Sequence, residues 1–515
     1  MKPFAHLCRE ILPALAWLGF GSIPSGAFAD VRLPAIFSDH LVLQAEAPVK
    51  VWGWADPAEP ITVAIADQTH ATTASSTGEW EVILQPLPSN AVPTTLTITG
   101  HNQVMIRDVL LGEVWLGSGQ SNMELRTKDA QNFGQEQANA RFPQIRQFTV
   151  RRNARPDAVA EVQGEWQVCS PSTVGEFSAV LYFFGRELHQ ELRQPVGLIN
   201  SSWGATPIQT WMPLAAVQSS PGYAAFLEKR KEELAKWPEQ EQKILASIRE
   251  WESEAGKSPG PSNRPKPWNP GPPNAGQQMP AGAYQGMIHA LTRFRIRGLL
   301  WYQGENNARE GAAGAAEYTD LLTRLIASWR AAWALPDLPF LFVQLPNFIE
   351  PRDSTGVSWA RFREAQARVL AIPHTGMAVT IDVGEPDFIH PHNKQAVGHR
   401  LACLALADIY QRKIPAHAPM FERYWITEGE IHLEFKNAEG GLKARGAPVT
   451  GFAIAGADRV WHPAQARVDG DGLVLSSAAV PAPVAARYGW ANNPACNLYN
   501  RGDLPLAPFR TDSWK

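Results

Sequence analysis

The chain is poor in cysteine, with four in 515 residues. Cys8 falls in an N-terminal segment marked for removal, which leaves Cys169, Cys403 and Cys496. An odd number allows at most one disulfide and leaves its pairing open. Stability therefore does not rest on disulfides, and a chain of this length buries a full core without them, in about two to four domains. Charge of one sign is scarce too. Lys and Arg number 47 against 50 Asp and Glu, a formal net charge of -3 with no basic block and no acidic tail. That balance gives no electrostatic reason to expect nucleic acid or an anionic membrane surface as a partner. Long apolar runs are also missing. The run at 11–20 contains Pro13, and no later segment approaches the ~20 apolar residues of a membrane-spanning helix.

What is present begins with Lys2 and Arg9, then the short apolar run, then Ala27-Phe28-Ala29 before Asp30. This is the order of a secretory signal over 1–29, cleaved near Ala29, so the mature chain is expected in the periplasm or outside the cell without a membrane anchor. From 30 to 108 apolar residues recur with period two, as at Ile61, Val63 and Ile65 and at Trp80, Val82 and Leu84, which predicts an N-terminal β-sandwich. From 109 to 413 strand-like runs alternate with helical patterns, among them 179–192, a second with Tyr318, Leu321, Leu325 and Trp329, and a third after Asn393. Alternation of that kind predicts an α/β fold, a parallel sheet covered on both faces. Residues 214–280 interrupt it as an insertion, a charged helical arm followed by a Pro-, Gly- and Asn-rich stretch containing Trp268. Period two returns over 414–515, with a hairpin signal at Asp469-Gly470-Asp471-Gly472, and predicts a C-terminal β domain. Nineteen tryptophans are many, and those outside the core would suit the apolar faces of sugars.

Ligands of open α/β sheets sit beyond the carboxyl ends of the strands. The chemistry-bearing residues fall there. Ser121 follows the first strand in Gly119-Gln120-Ser121-Asn122, Gly204 follows the second, Gln303-Gly304-Glu305-Asn306 the third, and Asp387-Phe388-Ile389-His390 the fifth. A serine hydroxyl becomes a useful nucleophile when a base takes its proton, a task for His390 with Asp387 fixing its tautomer. The tetrahedral oxyanion needs aimed donors, available from the Ser121 and Gly204 amides and from the side chain of Gln303 or Asn306. Taken alone, Ser121 reads as a helix cap and Gly204 as a turn glycine. Glu305 reads as a buried carboxylate tying loops together. Asp387 with His390 and His392 lacks a further ligand cluster at metal spacing, so neither a metal nor a cofactor is expected. Met123 stands where an α/β-hydrolase elbow has glycine, which disfavours that family.

The sequences Gly119-Gln120-Ser121-Asn122-Met123, Trp301-Tyr302-Gln303-Gly304-Glu305, and Ile389-His390-Pro391 with Lys394 and Val397-Gly398 resemble the bacterial sialate O-acetylesterase-like branch of the SGNH hydrolases. The resemblance extends to 33–39, to Val51-Trp52-Gly53-Trp54-Ala55, and to 496–500 with Pro508-Phe509-Arg510-Thr511, nearly the whole mature chain. It implies a flavodoxin-like three-layer SGNH domain flanked by β-sandwich domains, removing acetyl groups from carbohydrate without a metal. It assigns Ser121 as nucleophile, His390 as base and Gly204 as oxyanion amide. Gln120 and Glu305 belong to the same motifs and are expected beside the substrate. Asn306 stands where such proteins commonly carry serine, so Gln303 and Asn306 both remain candidate donors. Substrates implied are acetylated sialic acid or plant polysaccharide such as xylan or xyloglucan. The rival readings are a non-catalytic carbohydrate-binding protein and an SGNH lipase or acyltransferase acting on longer acyl esters.

Overall fold

The computed structural model describes residues 30–255, 266, 267, 269 and 271–514. The segment expected to be a signal, 1–29, and residues 256–265, Trp268 and Pro270 of the insertion lie outside them. Strands β1 (Val42–Gln44), β2 (Val49–Trp54), β3 (Pro60–Ile65), β4 (Gln68–Thr73), β5 (Glu79–Leu84) and β6 (Asn90–Thr99) come first. Alternation does the sorting: in β3 Ile61, Val63 and Ile65 are buried while their neighbours reach outward. β2 pairs with β5, and β3 lies between β4 and β6, all antiparallel.

Strand β7 (Gln103–Gly119) belongs to two sheets. Its first half pairs antiparallel with β6, and from Glu113 onward it is the centre of a parallel sheet. The change comes at Asp108, whose φ of 57° bends the chain. Its carboxylate accepts a 2.7 Å bond from the buried Arg146 guanidinium. The boundary expected between 108 and 109 thus falls inside a strand, and sandwich and α/β layers share one hydrophobic core.

The remaining strands of that sheet are β8 (Phe142–Val150), β9 (Gly164–Cys169), β10 (Val196–Ser202), β11 (Gly298–Tyr302), β12 (Phe340–Val343) and β13 (Thr375–Ala378). Their order is β13-β12-β11-β7-β10-β8-β9, parallel except for β9. The winding reverses at β7, and that is where an open sheet leaves a crevice. Register brings Gly119 opposite both Ser202 and Tyr302, so the segments after β7, β10 and β11 emerge at one level.

Helices α1 (Ser121–Glu124), α2 (Phe133–Asn139), α3 (Ala179–Leu192), α4 (Leu214–Gln218), α5 (Tyr223–Ala255), α6 (Glu305–Ala308), α7 (Gly311–Trp333), α8 (Ser358–Ala367) and α9 (Lys394–Asp408) complete the layers. Side-chain parity along the strands decides which helix lies on which face. Trp115 meets Phe184 of α3, and a Cβ on Gly117 would strike Leu181 of the same helix. Trp301, in register with Ser118, points the other way and meets Trp329 of α7. α9 packs beside α3, where Gly398 lets the two backbones approach: a Cβ there would lie 2.8 Å from the Phe184 nitrogen. The insertion contributes α4 and the 33-residue α5, then returns through Gln277 and Gln278 to the rim of the sheet. From Met420 onward, antiparallel strands enclose a second core around Ile431, Leu433, Ile454, Leu475 and Tyr488. The Asp-Gly-Asp-Gly turn joins two of them, Gln465–Asp469 and Gly472–Ser476.

Candidate active site

Gly119 allows the turn from β7 into α1. Its φ is 133°, and a Cβ would sit 2.1 Å from the Tyr302 carbonyl oxygen. Gln120 then occupies the cap position of α1 without capping it through its side chain. Ser121 therefore lies inside the first turn rather than at the cap, and its hydroxyl is 2.8 Å from His390 Nε2. The Gln120 side chain is buried and faces inward, where its Oε1 accepts from the Asn306 amide at 3.3 Å and from Gln303 Nε2 at 3.2 Å. Its oxygen positions the neighbouring loop, while its Nε2 makes no hydrogen bond among the described residues and Gln120 lines the cavity beside Ser121.

His390 is half-buried. Burial, and then the charges of Lys394, Arg309 and His392, push its pKa down to about 4. The ring is therefore neutral and able to accept the serine proton across the neutral range. The acid limb of kcat/KM should accordingly fall near pH 4, where an unperturbed histidine would place it near 6.5. A rate profile on nitrophenyl acetate measures this directly, and a limb above pH 6 would contradict the geometry.

The expected orienting carboxylate is not in place. Asp387 is exposed and makes no hydrogen bond with His390 among the described residues. The loop is turned by Glu385 instead, whose Oε1 accepts from the His392 amide at 2.7 Å and lies 2.8 Å from His392 Nδ1. Phe388 fills the space between the rings, stacked on His392 and edge-on to His390.

A buried chain of contacts that spacing gave no means of finding joins the motif loops through Asn122. Its Nδ2 donates to Glu305 Oε1 and, at 3.0 Å, to the Ile389 carbonyl; its Oδ1 accepts from Lys394 Nζ at 2.6 Å. Lys394 is fully buried over the Tyr302 ring, and burial lowers its pKa to about 7. Burial raises the pKa of Glu305, whose Oε2 has no hydrogen-bond partner among the described residues. Only a side-chain amide donates to a carboxylate and a carbonyl while accepting from an ammonium.

The oxyanion candidates separate. Gln303 is fully buried, with Nε2 donating to Asn307 Oδ1 at 2.8 Å and to the Thr206 carbonyl at 3.1 Å, and Oε1 accepting from Tyr318 at 2.8 Å. It has no donor left for a ligand. Asn306 is half-buried and uses Nδ2 once, on the Ala205 carbonyl at 3.0 Å, which leaves a second N–H. Gly204 stands where expected, but its amide donates to Glu124 Oε2 at 2.9 Å, and Arg152 Nε holds the other oxygen of that carboxylate at 2.6 Å.

Two cavities meet at Ser121, Glu124, Arg152 and His390. The smaller, about 370 Å³, is lined by Trp203, Gly204, Gln277 and Asn306. The larger, about 990 Å³, is lined by Arg126, Arg151, Gln167, Glu176 and Phe388. A hydroxyl and a neutral imidazole in contact, on the carboxyl rim of a doubly wound sheet and open to both cavities, is the arrangement of an SGNH-type ester hydrolase.

Comparison with known proteins agrees. The family described as carbohydrate esterase, sialic acid-specific acetylesterase, matches residues 263–407. A carbohydrate acetylesterase of Xanthomonas citri superimposes with a TM-score of 0.81 at 37% identity, covering 94% of this chain and all of that one. The sialate O-acetylesterase of Rattus norvegicus is 28% identical over 550 residues, 95% of each chain, and the Homo sapiens protein of the same name 26% identical over 546 residues, 97% of this chain and 95% of that one. The chain belongs to the sialate O-acetylesterase-like family of carbohydrate acetylesterases and is a carboxylic ester hydrolase.

Proposed function

We propose that Ser121 is the nucleophile and His390 the base with which this enzyme removes O-acetyl groups from carbohydrate. The 2.8 Å contact between them at the seam of two cavities carries the reading. The acetyl group enters the smaller cavity and the sugar the larger. Ser121 attacks as His390 takes its proton, and the oxyanion forms beside the Ser121 amide at the start of α1 and the free N–H of Asn306. The Gly204 amide joins them only when Glu124 turns toward Arg152. Asn306→Ala is expected to lower kcat on nitrophenyl acetate about 10²–10³-fold with little change in KM. Gln303→Ala should instead lower the unfolding midpoint, because it breaks an internal network.

The pair acts as a dyad. Asp387→Asn should change kcat/KM by less than about threefold, whereas a true triad aspartate costs about 10⁴. Steady-state kinetics on the purified variant decides between them.

Anionic acetylated sialic acid is the substrate the larger cavity favours. Arg126 is tied to Asp129 and Glu176, and Arg152 to Glu124, while the Arg151 side chain has no ion-pair partner among the described residues. One guanidinium is thus available to a sugar carboxylate. Phe388, 41% exposed beside His390, supports the second reading, a neutral xylan or xyloglucan ring laid on its face. Acetate release from O-acetylated sialic acids, acetylated xylan and acetylated xyloglucan, with Ser121→Ala as control, tests both. Arg151→Ala should raise KM about tenfold for sialates alone; equal effects on neutral substrates would remove the sialate reading. Turnover that rises with acyl-chain length would favour a lipase. Export rests on the charge, apolar and small-residue order of 1–29, and N-terminal sequencing of the secreted protein tests it.

A further inference from the structure

Away from the catalytic rim, α3 and α9 lie side by side with their outer faces carrying two pairs of side chains at i and i+4. Glu187 and Glu191 are the pair on α3; His399 and Cys403 are the pair on α9. That spacing brings each pair to one helix face. All four line a cavity of about 520 Å³.

Three of them already converge. His399 Nδ1 is 2.9 Å from both carboxylate oxygens of Glu187, and Cys403 Sγ is 3.8 Å from that nitrogen and 3.9 Å from Glu187 Oε1. A tetrahedral cation with bonds of about 2.0–2.3 Å separates its ligand atoms by about 3.5 Å, so these atoms stand near the edges of such a polyhedron before any ion is present. The fourth corner opens into the cavity, where Glu191 is exposed one turn along from Glu187. Residues 187 and 403 are far apart in sequence, so neither motif nor spacing marks the cluster.

We propose that Glu187, His399 and Cys403 bind a thiophilic divalent cation, zinc by choice, with Glu191 or water completing the coordination. A mixed thiolate, imidazole and carboxylate set excludes magnesium and calcium, which take oxygen ligands. Binding replaces the proton shared by His399 and Glu187 and the thiol proton of Cys403, both released to solvent. Arg412 and Lys413 at the same cavity offset the negative charge that Glu191 adds to the loaded site. The ion clamps α3 to α9, and because α9 starts four residues after His390, the clamp steadies the helix from which the histidine loop departs. It takes no part in the chemistry.

Full-length protein is stripped with chelator, loaded with zinc, desalted, and its metal measured by mass spectrometry; cobalt titration reports thiolate ligation through its charge-transfer absorption. About one ion per chain is expected, with a cobalt–thiolate band and a zinc-dependent rise in thermal midpoint. Cys403→Ser should abolish the band, and His399→Ala should weaken zinc binding at least about tenfold, both with turnover of nitrophenyl acetate retained. His399 is more than half exposed, so its variant folds even where a change at buried Cys403 does not. Absence of the band in the wild type, or zinc binding unchanged in His399→Ala, overturns the proposal and leaves a surface ion pair between His399 and Glu187.

Discussion

Ser121→Ala is expected to lower kcat for nitrophenyl acetate by at least about 10³-fold while leaving the fold intact. The hydroxyl makes its contact with His390 alone, so its removal leaves no buried donor or acceptor without a partner elsewhere. Unfolding free energy should change by less than about 1 kcal/mol. Residual turnover is expected, because Asn306 and the start of α1 still stabilise an oxyanion formed by water attack. His390→Ala should cost nearly as much, and the double variant hardly more than either, since nucleophile and base act as one unit. Steady-state kinetics on all three, with circular dichroism to check folding, is the measurement. A fall in Ser121→Ala of less than tenfold would remove the serine mechanism, and additive losses would mean that the two residues act separately.

Ser121 and His390 were legible because each lies in a short local motif at the end of a strand, where an open sheet places its ligands. α3 was legible residue for residue, because an apolar stripe of period 3.6 ends there in polar sequence and Ser178 caps it. Asp387 misled for the opposite reason. Three positions in a tight loop bring a carboxylate near a histidine but do not set its direction, and here Glu385 turns the loop onto His392 and leaves Asp387 outside. Gly204 was placed correctly on the rim, yet the occupancy of its amide depends on Glu124, 80 residues earlier. The division at 108 and 109 was drawn from a change of period, and the structure carries one strand across it because β7 pairs with the sandwich first and the parallel sheet afterwards. Local period reads the element; it does not read the partners.

Asn122 is where this matters most. Its three partners lie 183, 267 and 272 residues away, and it stands between a buried carboxylate and a buried ammonium. Asn122→Ala is expected to cost about 3–5 kcal/mol, because Lys394 and Glu305 lose the group that separates and satisfies them. Activity should fall as well, by about 10²-fold, since the Ile389 carbonyl that holds the histidine loop is released and a shift of about 1 Å at His390 suffices for such a loss. Lys394→Met tests the same chain from its charged end. The Lys394 pKa is about 7 in the folded protein against an ordinary 10.5, so between those values the unfolded chain holds a proton that the folded chain has shed. Stability contributed by this residue therefore rises with pH across that window and is lost as pH falls through about 7. Urea unfolding of wild type and Lys394→Met at about pH 7.5 and about pH 9.5 should show the gap between them widening at the higher pH. Combining Lys394→Met with Glu305→Gln should cost less than the sum of the two single changes, because the second removes the carboxylate that the first leaves buried alone. Strict additivity, with a gap that does not move with pH, would mean that Lys394 and Glu305 are not coupled through Asn122. The asparagine would then serve only to seat the Ile389 carbonyl.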